Sequence, residues 1–146
     1  MKICIIILLI LDAVWFASAF WFFSLNPKKA AKLLLSKQHR QEPSFSILTH
    51  SLKFLGGMNL AFSTLSIFCL VSIQNIAPAH ISFLLLVFSI AHGSQLVFNI
   101  PIARKERSKE PHLWSVLSGT MLFIFVVDAS LSLLNLFFAV ALVLLL

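Results

Sequence analysis

Four long apolar runs, separated by two basic segments and one short uncharged turn, restrict this chain more than any other feature. A bilayer core about 30 Å thick needs about 20 residues of helix to cross it. Ile3–Leu25, Leu52–Ile73, Ile81–Ile100 and Leu113–Leu146 meet that length. Lipid offers backbone groups no hydrogen-bond partner, so such runs must be helical to satisfy themselves. The fold class that follows is all-α: an integral membrane four-helix bundle forming one transmembrane domain over residues 1–146. Composition agrees, with 60% hydrophobic and 11% charged residues and a mean hydropathy of +1.00. A soluble domain could not hide that much apolar surface. The fourth run exceeds a perpendicular span and should tilt or project.

Charge sets the direction. Lys28, Lys29, Lys32, Lys37, Arg40 and Lys53 gather at residues 26–53, and Arg104, Lys105, Arg107 and Lys109 at residues 101–112. The connection "QNIAPAH", by contrast, carries no Lys or Arg and is broken by Pro78, so the second and third spans should be antiparallel neighbours. The basic loops at 26–51 and 101–112 then share one face, which the positive-inside rule makes cytoplasmic. Multi-pass insertion is expected in a bacterial inner membrane or in the endoplasmic reticulum of a eukaryote. The basic segments lack interleaved aromatics and flank apolar spans, so they read as topology signals rather than a nucleic-acid surface. Expected partners are the lipid bilayer and either another membrane protein or a second copy of the chain.

Two segments admit alternatives. "MKICIIILLILDAVWFASAF" has a basic start and an Ala17-Ser18-Ala19 that resembles a signal-peptidase site. Asp12 interrupts its apolar stretch and apolar sequence continues to Leu25, which favours a retained span over a cleaved signal. In "NPKKAAKLLLSKQHRQEPS", Asn26 can cap a helix and Pro27 suits its first position. That segment reads either as a short helix on the inner leaflet or as a solvated basic loop.

Each span has one polar side. Residues three, four and seven apart share a helix face. That spacing groups His92 with Gln95 and Asn99, Asn59 with Ser63 and Ser66, and Asp128 with Ser132 and Asn135. Asp12 shares its face with Trp15, Phe16 and Ala19. Lipid tails cannot satisfy these groups, so the four sides should converge. At a rise of about 1.5 Å per residue, Asn59, Gln95 and Asn99 fall in the cytoplasmic half, while Asp12 and Asp128 both lie roughly 20 Å in, with His92 near.

Asn59, Gln95 and Asn99 should therefore meet inside the bundle. They and Asn135 read as interhelical glue, at about 0.6–2 kcal/mol per bond. The serines read as packing residues or as back-bonders to their own helix. Gly56, Gly57, Gly93 and Gly119 should allow close helix approach, and Ser115 with Gly119 makes a small-xxx-small pair. A carboxylate at the bilayer centre costs about 2.5–3.5 kcal/mol on insertion scales, so Asp12 and Asp128 should share a proton, pair with His92 or face water. The cluster reads as a structural lock or as a ligand-binding site.

Catalytic signatures are missing. Four glycines build neither nucleotide-binding fingerprint, and neither HExxH nor GxSxG occurs. Cys4 and Cys69 lack metal-ligand spacing and read as small core residues. No metal, cofactor or catalytic residue is expected. Glu42, Glu106 and Glu110 sit among bases and read as charge pairs. Two aspartates on separate helices leave an intramembrane hydrolase as a third-ranked reading, without the glycine and tyrosine context of such proteases.

"LKFLGGMNLAFSTLSI" (Leu52–Ile67) opens the second span and "AHGSQLVFN" (Ala91–Asn99) closes the third. With the chain length, these stretches resemble the small four-span membrane families related to DoxX and to the sterol-biosynthesis scaffold proteins. The resemblance implies a non-catalytic scaffold or accessory subunit with no cofactor. The residues themselves add an alternative from another class: a carrier or binder of a small lipophilic or protonatable ligand.

Overall fold

The computed structural model describes residues 1–145 and is an all-α membrane helical bundle, with four helices long and apolar enough to cross a bilayer. Helix α1 spans Lys2–Phe20 and passes into a π-turn at Trp21–Leu25. A short amphipathic helix, α2, follows at Pro27–Leu34. Three long helices complete the chain: α3 (Pro43–Ser72), α4 (Pro78–Arg107) and α5 (Gly119–Val143).

Prolines start three of these helices. Pro27, Pro43 and Pro78 each occupy a first-turn position, where a missing N–H costs nothing. The helices also outrun the apolar spans. Helix α3 begins nine residues before Leu52, and α4 continues through Pro101 to Arg107. At 30 residues each, these two are about 45 Å long, so their loop-side ends project beyond the hydrocarbon core. The apolar run marks what lipid covers, whereas the helix continues wherever its backbone bonds do.

The fourth helix is shorter than its apolar run. It starts at Gly119, whose positive φ of 55° forms the turn that leads into it. Leu113–Ser118 lies outside the helix, so Ser115 and Gly119 do not form the helix-packing pair expected of them. Glu106 sets this conformation. Its carboxylate accepts from Ser115 Oγ and from the backbone N–H groups of Val116 (2.6 Å) and Leu117 (2.9 Å). Glu106 is thus a loop clamp rather than a charge pair. Leu146, the end of the expected fourth span, lies outside the described residues.

Serine hydroxyls determine which helices adhere. Ser63 Oγ donates to the Ala13 carbonyl and Ser66 Oγ to that of Leu9, both 2.9 Å, tying α3 to α1. Ser82 donates to the Ala139 carbonyl (2.7 Å), and Ser89 and Ser132 each donate to the other's carbonyl at 2.9 Å, tying α4 to α5. Ser63, Ser66 and Ser132, expected to pack or to bond back to their own helix, bond to the neighbouring helix instead. Small residues deepen both contacts. A Cβ on Gly56 would stand 2.7 Å from the backbone nitrogen of Ser24, and one on Gly93 would stand 2.9 Å from Ser132 Oγ. Gly57 has no such neighbour, so it serves no close approach.

The result is two helix pairs, α1 with α3 and α4 with α5, joined by contacts between α1 and α5. Away from the basic loops they share an apolar core of Leu8, Leu9, Leu85, Phe88, Leu131 and neighbours. At that end Lys2 Nζ bonds Gln74, placing the N-terminus beside the α3–α4 turn. Cys69 belongs to this core, whereas Cys4 is exposed; both are free thiols. At the basic end, α2 buries Ala30 and Ala31 against Leu52, Phe45 and Leu48 of α3. Arg40 closes α2 by donating to the carbonyls of Lys32 and Leu35. The basic segment is therefore a docked helix, and Asn26 turns back to the Trp21 carbonyl instead of capping it.

Candidate functional site

Where the two helix pairs meet, one histidine joins three helices. His92 of α4 is 1% exposed, with Asp12 of α1 and Asp128 of α5 on opposite edges of its ring. Nδ1 lies 2.9 Å from Asp128 Oδ1, and Nε2 lies 3.2 Å from Asp12 Oδ1. Phe16 stacks on the imidazole at 4.5 Å and 15°, which fixes the ring plane between the two carboxyls. The carboxyls do not touch each other directly; the imidazole bridges them.

Two further donors complete the cluster. Trp15 Nε1 donates to Asp128 Oδ1 at 2.8 Å. Asn135 Nδ2 donates to Asp12 Oδ1 at 3.0 Å and to the Leu131 carbonyl at 2.9 Å. Asp12 Oδ2 and Asn135 Oδ1 are buried with no partner among the described residues. Spacing groups Trp15 with the Asp12 face, yet its indole bonds Asp128. An indole N–H inside an apolar span needs an acceptor, so the sequence implies a buried partner for Trp15 without naming it.

The expected amide cluster does not form. Asn59 Nδ2 bonds the Leu55 carbonyl and Asn99 Nδ2 bonds the Gln95 carbonyl, each within its own helix. Asn99 Oδ1 accepts from Trp114 Nε1 at 3.0 Å, fastening the 108–118 loop to α4. The side-chain amide of Gln95 makes no hydrogen bond to a described residue. An amide on an isolated helix can always return to the carbonyl four residues back, so shared facing does not ensure meeting. Of the four amides, Asn135 alone joins the aspartate cluster.

A cavity of about 860 Å³ opens between the helix pairs towards the basic end. His92, Asp128 and Trp15 line its deep end, and Asn59 and Gln95 line its wall. Most of the remaining lining is apolar, with aromatic rings such as Trp21, Phe62 and Phe123. Asp12 and Asn135 are not on that lining, so the cluster has a sealed half and an open half. Asp128 Oδ1 takes both the Trp15 and His92 bonds, which leaves Oδ2 with no partner among the described residues. No group of three metal-ligating side chains with metal-binding geometry occurs among the described residues. Nor does any protein-family model, curated protein or solved structure match the chain.

Proposed function

We propose that this protein binds, and in carrying out its role exchanges, a small lipophilic ligand within the cleft between its two helix pairs. The supporting observation is the cavity itself: apolar and aromatic along its walls, polar at its deep end through His92 and Asp128. Ligand sites take that form, a largely apolar pocket with a few convergent polar groups. A pure scaffold, the first-ranked reading from sequence, has no need for a cavity that reaches a buried polar cluster. Neither reading requires catalysis, and the hydrolase reading draws no support from carboxyls that are bridged by an imidazole. With the basic loops inside, the cleft opens in the cytoplasmic half of the membrane, in a bacterial inner membrane or the endoplasmic reticulum.

Filling the cleft tests the proposal. Ala91 lines it one residue from His92, and Ala91→Phe places a ring in the cavity. Protein purified in mild detergent should carry a small lipophilic molecule, seen by native mass spectrometry, that the folded Ala91→Phe variant has lost. An identical set of bound molecules in both proteins overturns the proposal.

A further inference from the structure

The cleft has a sign. Among its lining residues there is no Lys, Arg or Glu, and Asp128 is the one acidic side chain. An anionic ligand would need a cation, and the single candidate is His92, whose two ring nitrogens are already held by Asp12 and Asp128. A ligand with no hydrogen-bond donor would leave Asp128 Oδ2 unpaired beside an apolar cavity, which is costly. A ligand carrying a cationic donor would pair with that oxygen.

The walls favour the same charge. Trp15, Trp21, Phe62 and Phe123 border the cavity, and aromatic faces attract ammonium groups, more strongly when water is excluded. Basic side chains are numerous in the chain, yet all lie outside the cavity lining. On the reading of the cleft as a ligand site, we infer that its ligand is a lipophilic amine, with the ammonium on Asp128 and the apolar part among the aromatic rings. Asp128 is the counter-ion. The imidazole and Trp15 hold the carboxylate by its other oxygen, so Oδ2 is the one presented to the ligand.

Three probes of equal tail length separate the possibilities: dodecylamine, dodecanol and dodecanoate, each titrated into the full chain in phosphatidylcholine nanodiscs. Binding is read as saturable quenching of tryptophan emission above that of empty nanodiscs. The amine should bind at least tenfold more tightly than the alcohol, and dodecanoate should not saturate. Asp128→Asn should remove the amine's advantage over the alcohol. Equal affinity for amine and alcohol, or tighter binding of dodecanoate, overturns the amine assignment and leaves the cleft as a ligand site. No saturable binding by any probe overturns both. The ratios among probes on the unaltered protein decide the question even if Asp128→Asn does not fold.

Discussion

Asn135 Nδ2 donates to Asp12 Oδ1, while Asp12 Oδ2 and Asn135 Oδ1 are buried without a partner among the described residues. The amide cannot be turned round, because its nitrogen also serves the Leu131 carbonyl. A proton on Asp12 Oδ2 resolves the conflict, since it supplies a donor for the Asn135 oxygen. The sealed half of the cluster is then a neutral acid–amide pair.

Asp12→Asn should therefore be tolerated, because the introduced amide supplies the same donor and acceptor. Asp12→Leu removes the acceptor for Asn135 and His92 and should cost about 1–3 kcal/mol. Unfolding midpoints in detergent compare the two. Infrared spectroscopy of the unaltered protein should show a protonated carboxyl band that Asp12→Asn abolishes; a spectrum unchanged by Asp12→Asn refutes the neutral pair.

Gly56 and Gly57 offer a matched comparison within one helix. Gly56→Ala drives a methyl into the backbone of Ser24 and should destabilise by about 1–3 kcal/mol. Gly57→Ala meets nothing and should be neutral or stabilising by about 0.5–1 kcal/mol. Equal effects would mean that the π-turn does not press on α3.

The serine bonds predict small, separable losses. Ser66→Ala and Ser82→Ala act on different helix pairs, and each should cost about 0.6–2 kcal/mol. The double variant should show the sum, since the sites share no partner. A strongly non-additive double variant contradicts the picture of two independently tied pairs.

Glu106 orders the loop ahead of α5. Glu106→Ala should speed hydrogen exchange at the amides of Val116 and Leu117, which lose their acceptor, while leaving amides in the apolar core of α5 protected. Unchanged exchange at those two amides would remove the clamp from the account.

The periodicity of polar residues carries much of this structure. Three- and four-residue spacing put Asp12, His92, Asp128 and Asn135 on inward faces, and equal depth brought the two aspartates to the level of the histidine. Four spans follow from run length and charge, but the neighbours expected through "QNIAPAH" do not pack as a pair: α3 lies against α1 and α4 against α5, because the serine bonds and glycine contacts join those helices instead. Other features leave no such trace. Hydropathy marks the lipid-covered run, so it misses the polar ends of α3 and α4 and overextends α5 into the segment that Glu106 shapes. A serine hydroxyl bonds its own helix or a neighbour's with the same spacing, so Ser63, Ser66 and Ser82 could not declare their partners. For Asn59 and Asn99 the local carbonyl won. The cleft itself is a product of how two helix pairs splay, which no single run encodes.

A lipophilic molecule that enters between the helix pairs as far as His92 is located directly by intermolecular nuclear Overhauser effects. The experiment uses isotope-labelled protein in deuterated-lipid nanodiscs with protonated dodecylamine. Contacts from the probe to the rings of Trp15, Phe62 and His92 are predicted. Contacts confined to the outward-facing Phe54 and Phe98, 80% and 77% exposed, would place the probe in the surrounding lipid and contradict the account.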